Sequence, residues 1–314
     1  MTGNAMSSAS APRGVYCAAL TPLKADLAPD LDLFLAHCRY LLDEGCDGVA
    51  LLGTTGEANS FSAAERMAIL EAAVEGGIAP GKLMPGTGVA ALTETVALTR
   101  HALSLGVTDV VMLPPFYYKA VSDDGLFASY AEAIERIGDA RLRVVLYHIP
   151  QFSAVPIPQA VIERLIARYP GTVVGIKDSS GDIANMTTML ERFPGFAVFP
   201  GADPLMRALL PIGAAGCITA TSNLVARDLA FIYAHHADAT RTAELDAAQA
   251  RVEAMRTLGS RFPQMASMKA LTAHRTGDAG WRRLRPPLTS LTAEQEATIA
   301  AALPFPSRLA SVAA

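Results

Sequence analysis

The stretch VVGIKDSS, residues 173–180, decides how this chain is read. It begins as a buried β-strand and ends in small polar residues, yet Lys177 places an ammonium group inside the apolar run. Desolvating an isolated charge is costly. Strand alternation predicts that Val173, Gly175 and Lys177 share one face. The fold must therefore let one face of a core strand open onto a polar space.

Segments of the same kind recur on both sides. GVYCAAL (14–20), GVALLG (48–53), KLMPGTG (82–88), VTDVVMLPP (107–115) and RVVLYHIP (143–150) precede it, and AVFPGAD (197–203) and AAGCITATS (214–222) follow. Each is short, apolar and closed by Gly, Pro, Ser or Thr, and each is followed by residues with helical spacing. LDLFLAHCRYLLDEG follows Pro29-Asp30, SAAERMAILEAAVEGG starts with Ser62 as N-cap and Glu65 completing a capping box, and TETVALTRHALSLG closes at Gly106. Eight strand–helix units in this order predict an α/β fold, a (β/α)8 TIM barrel, over residues 14–237. A doubly wound sheet usually has fewer strands and a phosphate-binding glycine turn after the first. Past residue 237 the strand signals stop. DATRTAELDAAQARVEAMRTLGSRF, QMASMKALTAHR and TAEQEATIAAAL predict a C-terminal helical extension over 238–314.

Composition supports this class. Of 314 residues 51% are hydrophobic and only 6% aromatic, with a mean hydropathy of +0.28, which suits helices packed on strands over an aromatic-rich sandwich. Net charge is −4, and the densest basic cluster, WRRLRPP at 281–287, is too short to track a phosphate backbone, so no nucleic-acid partner is expected. No apolar run approaches the roughly 18 residues of a membrane span. MTGNAMSSASAPR, residues 1–13, reads as a disordered leader. Cys17, Cys38, Cys46 and Cys217 share no CxxC spacing and lie in apolar segments, so they read as core hydrophobes in a reducing cytoplasm, with no metal site. GGIAPGKL (76–83) imitates a P-loop, but Leu83 stands where the magnesium-binding Ser or Thr belongs, and the segment precedes a strand instead of following one.

Active sites of such barrels lie at the C-terminal ends of the strands. Those ends carry Thr54 and Thr55, Tyr117 and Tyr118, Tyr147, Lys177, and Ile218 with Thr219. A lysine in a desolvated pocket can attack a carbonyl and form an imine, which then serves as an electron sink. A nearby tyrosine can carry protons, and the turn GTTGE (53–57) offers N–H groups and hydroxyls to a carboxylate. The bland readings are a salt-bridged Lys177 beside Asp178, a helix-initiating turn, and a core tyrosine.

GTTGE, the YxxP of YHIP (147–150) and GIKDSSGD, in this order and approximate spacing, resemble the dihydrodipicolinate synthase / N-acetylneuraminate lyase family of pyruvate-dependent class I aldolases, from about Gly14 into the helical tail. The resemblance implies that Lys177 is the Schiff-base lysine and Tyr147 the proton donor and acceptor. It also implies that Thr54 and Thr55 bind the carboxylate, that Ile218 is a backbone contact to pyruvate, and that no cofactor is needed. Its members are commonly tetrameric, so a homo-oligomer, tetramer or dimer, is expected. A further relay tyrosine falls in PPFYYK: counting from the prolines favours Tyr117, counting back from SDDG favours Tyr118, and Tyr117 is preferred.

Two positions depart from the family's patterns. Where the synthase has an arginine for the carboxylate of its aldehyde, this chain has Phe152, which cannot form that bidentate bond. Where the sialic-acid lyase has a glutamate for substrate hydroxyls, it has Pro204. The expected activity is therefore an aldolase or dehydratase acting on pyruvate or another 2-oxo acid, a deoxy sugar acid or a hydroxy-oxo acid, with an aldehyde partner. Dihydrodipicolinate synthase itself is disfavoured by Phe152, and a non-catalytic barrel that binds 2-oxo acids is the remaining alternative.

Overall fold

The structure, a computed structural model, describes residues 11–309. Strands β1 (Gly14–Ala18), β2 (Gly48–Ala50), β3 (Asp109–Met112), β4 (Arg143–His148), β5 (Val173–Asp178), β6 (Ala197–Pro200) and β7 (Gly216–Thr219) are all parallel to their neighbours. They run in the orders β2-β1-β7 and β3-β4-β5-β6. Helices such as Leu31–Asp43, Ala63–Glu75, Leu92–Ser104 and Asp123–Ile137 alternate with them, each returning the chain to the start of the next strand. The barrel expected from the sequence is the fold.

The third expected strand, 82–88, is the irregular stave that joins the two sheets. Met84 and Gly86 donate to the carbonyls of Val49 and Leu51 at 2.9 and 2.8 Å, and Thr87 donates to Val111 at 2.9 Å. Pro85 has no N–H to give, so the ladder breaks there into isolated bridges, Val49 to Leu83 and Gly86 to Val111. On the other side Ala215 donates to Val198 at 3.0 Å and brings β7 against β6.

Alternation along the strands divides the core into two layers. Tyr16, Ala50, Met84, Val111, Val145 and Phe199 pack with one another inside the barrel. Cys17, Val49, Val110, Val144, Ile176 and Val198 face the helices. One expectation fails here. Val144 pairs with Val173 but Val145 pairs with Gly175, so β5 holds one residue more than β4 at this point. This bulge sends Val174 inward and Val173 outward to the helix layer, whereas regular alternation had placed Val173 with Gly175 and Lys177. Beyond the bulge the register is regular and sets Lys177 beside Tyr147.

Asp30 caps the helix Leu31–Asp43 by accepting from Leu33, and the Ser62–Glu65 capping box is present. After β7 and its helix come Thr242–Gly259, Gln264–Thr276 and Ala293–Ala301. The arginines of WRRLRPP fasten this tail to the barrel: Arg283 donates to the Leu23 carbonyl at 3.0 Å and Arg285 to that of Leu27 at 3.0 Å. Cys17, Cys38, Cys46 and Cys217 are all free and buried. Most of the expected leader, 1–10, lies outside the described residues, but its last residues are placed: Pro12 is buried and Arg13 donates to the Ala214 carbonyl at 3.3 Å. No helix among the described residues is long and apolar enough to cross a membrane.

Gly175 is where β5 resumes its register after the bulge, and a Cβ there would lie 2.5 Å from the Ala197 carbonyl oxygen. Gly175→Ala is expected to destabilise the fold by about 1–3 kcal/mol in chemical denaturation; a change within about 0.5 kcal/mol would show that β5 and β6 separate freely at this point.

Candidate active site

Lys177 is 5% exposed and Tyr147 3%, and they are direct cross-strand neighbours on β5 and β4. The Lys177 Nζ lies 4.1 Å from the centroid of the Tyr147 ring. Beneath them, Phe199, the β6 partner of Lys177, meets Tyr16 edge to face at 5.9 Å and closes the barrel interior. The adjacent carboxylate, Asp178, points the other way. It accepts from the Ser180 backbone N–H at 2.8 Å and from the Asn185 amide at 2.8 Å, which holds the loop after β5 and removes it as the counter-ion of Lys177.

The turn after β2 comes to the same place. Thr54 Oγ1 and Tyr147 Oη share a hydrogen bond of 3.3 Å, and Thr55 is buried beside them. Two non-glycine residues bracket the turn in left-handed conformation, Leu52 at φ 56° and Glu57 at φ 57°. That conformation is strained for side chains of this size, so other contacts must hold it. Thr21 donates to the Gly56 carbonyl at 2.9 Å, and a Cβ on Gly56 would come within 2.9 Å of the Ala19 carbonyl oxygen. Glu57 itself is buried and forms an ion pair with Lys269, from the helix Gln264–Thr276, in which neither side chain reaches solvent. Lys269 also donates to the Arg283 carbonyl at 2.7 Å. Burial pushes the Lys269 ammonium below its ordinary range, against the pull of Glu57. Nothing in the sequence marked this lysine, because its partner lies more than two hundred residues upstream.

A cavity of about 50 Å³ opens over Lys177. Thr54, Thr55, Tyr147, Lys177, Phe152 and Ile218, all expected at the site, line it. So do residues that the sequence did not announce: Gln151 from the one-turn helix Pro150–Ser153, Ser179 and Gly201 from the loops, and Arg256 and Gln264 from the C-terminal extension. Phe152 is 57% exposed, at the rim. Tyr117 is not brought in. It and Tyr118 are each 73% exposed, stacked edge to face at 5.3 Å, and neither lines the cavity within this chain. A larger cavity of about 560 Å³ lies among Val173, Val174, Phe193 and Phe196, at the starts of β5 and β6 and away from this chemistry.

The dihydrodipicolinate synthetase family model matches residues 11–304. The chain belongs to this family. A DapA-like lyase of Chloroflexus aurantiacus is 38% identical over 295 residues, covering 93% of this chain and 96% of that protein. A 4-hydroxy-tetrahydrodipicolinate synthase of Nitrosomonas eutropha is 32% identical over 76% of this chain and 78% of its own length. Among solved structures, dihydrodipicolinate synthase from Agrobacterium tumefaciens superposes with a TM-score of 0.82 at 33% identity, covering 92% of this chain and 97% of that one. As a dihydrodipicolinate synthetase family member the chain is a class I lyase.

The buried pair makes Glu57→Gln costly. Breaking it leaves an uncompensated ammonium in the core, and roughly 3–5 kcal/mol of stability is expected to disappear in chemical denaturation, with a large part returning in Glu57→Gln/Lys269→Met. Glu65 supplies a pH test. Hydrogen bonds from Arg285 hold its carboxyl at about 2, below its ordinary 4.5. The unfolded chain therefore takes up this proton first, so the stabilisation is complete above about pH 4.5 and is lost as pH falls towards about 2. The Glu65 side chain is 32% exposed, and screening keeps the effect near 1 kcal/mol. Arg285→Gln is expected to flatten this part of the acid limb of stability against pH.

Proposed function

We propose that Lys177 is the Schiff-base lysine of a lyase that acts on pyruvate or another 2-oxo acid, with an aldehyde as the second reactant. The observation that carries this reading is the pairing of Lys177 and Tyr147 inside the barrel mouth, with Thr54 hydrogen-bonded to the phenol. The Lys177 amine attacks C2 of the 2-oxo acid and forms a carbinolamine, and loss of water from it leaves the protonated imine. The imine draws electron density from C3, so the C3–C4 bond of an aldol adduct breaks with its electron pair delocalised into the enamine. Tyr147 moves the protons: it delivers one to the leaving carbinolamine hydroxyl and takes one from the C4 hydroxyl as the aldehyde departs. Hydrogen bonding to Thr54 fixes the phenol for both tasks. Thr54 and Thr55 receive the substrate carboxylate through hydroxyl and backbone N–H groups, and Ile218 supports it from the end of β7.

Phe152 at the rim distinguishes the substrate from that of the synthase, because it gives an apolar contact where the synthase pattern places an arginine. The exposed Tyr117–Tyr118 pair supports a homo-oligomer in which this aromatic loop is covered. Four free, buried cysteines suit a cytoplasmic location.

Borohydride reduction in the presence of pyruvate, followed by mass spectrometry, tests the assignment. A single adduct on Lys177 is expected, absent from Lys177→Ala; folded protein that yields no adduct with any 2-oxo acid contradicts it. Tyr147→Phe is expected to lower kcat by roughly 10²- to 10⁴-fold while still forming the adduct slowly.

A further inference from the structure

We infer that Arg256 binds a carboxylate at the far end of the substrate, so that this lyase selects an anionic aldehyde and its aldol adduct is a dianion. The inference rests on Lys177 being the Schiff-base lysine. Arg256 lies on the helix Thr242–Gly259, outside the strand–helix repeat, yet its side chain lines the same cavity as Lys177 and Tyr147. Lys177 and Arg256 are the two cations of that lining, and no carboxylate is among the described residues that form it. Once Lys177 is committed to the imine and Thr54 and Thr55 to the first carboxylate, Arg256 is the remaining cation that can answer a second negative charge.

Its placement suits that role. Lys177, Tyr147 and Thr55 are almost fully buried, whereas the Arg256 side chain lines the same cavity and is 30% exposed, so unlike them it also reaches solvent. Its nearest acid, Asp203, is wholly buried and 3.7 Å from Nη1, beyond the range of a tight hydrogen bond. Asp203 therefore orients the guanidinium, whose fork of donors stays available. The helix is itself fixed to the short helix after β6, Asp203–Leu209: Gln249 donates to the Pro204 carbonyl at 3.2 Å, and Arg207 pairs with Asp246 at 2.6 Å. Arg256 thus supplies from the β6 side the charge that Phe152 does not supply from the β4 side.

Borohydride trapping with pyruvate, 2-oxoadipate and its uncharged-tail counterpart 2-oxohexanoate tests this in the wild type, Arg256→Gln and Arg256→Lys. Arg256→Gln is expected to raise the half-saturating concentration of 2-oxoadipate roughly 10- to 100-fold. Pyruvate and 2-oxohexanoate should stay within about twofold of wild type, and Arg256→Lys should fall between. An equal shift for charged and uncharged tails, or no preference for 2-oxoadipate in the wild type, overturns the role of Arg256 when pyruvate trapping is intact. Failure of pyruvate to label Lys177 in the wild type overturns instead the assignment on which it rests.

Discussion

The register of β5 against β4 is the constraint on which the site depends. Val174 is the extra residue, and the bulge it makes resets the alternation so that Gly175, Ile176 and Lys177 face inward, outward and inward. A one-residue slip in either strand exchanges the two faces. Lys177 would then stand among the helices, and Ile176 would take its place beside Tyr147. Gly175 guards the register from the other side, because the backbone of β6 leaves no room for a Cβ.

A second constraint shapes the mouth. Glu57 is held in a left-handed conformation that a residue of its size does not favour, and its carboxylate is tied to Lys269 in the interior. A buried ion pair contributes little net stability compared with an apolar pair of the same volume, because desolvating both charges offsets their attraction. What it fixes here is geometry. The pair connects the turn that carries Thr54 and Thr55 to the C-terminal extension, and Arg283 and Arg285 reinforce the same junction. The extension is in this way part of the site, and it brings Arg256 and Gln264 to the cavity.

The sequence exposed whatever is local or periodic. Strand composition, turn residues and caps announced the barrel, and motif order pointed to Lys177, Tyr147, Thr54 and Thr55, which the fold then gathers into one cavity. The bulge was invisible, since VVGIK reads as unbroken alternation and only the partner strand shows that one residue is extra. The break at Pro85 had a visible cause, but its extent depended on which neighbour the missing N–H would have faced. Arg256, Gln264 and Lys269 left no signal, because each looks like an ordinary polar residue on a helix, and only the packing of the extension over the barrel gives it a partner. Tyr117 is the opposite case: its motif position suggested a role at the site, while the single chain leaves it on the surface.

Together these features leave a desolvated space around Lys177 that suits covalent chemistry. A crystal structure of the protein grown with pyruvate tests this most directly. Continuous density from the Lys177 Nζ to C2 of the 2-oxo acid is expected, with the carboxylate against Thr54 and Thr55 and the Tyr147 hydroxyl within hydrogen-bond reach. Pyruvate held elsewhere in the barrel, with the Lys177 side chain unmodified, would contradict the account.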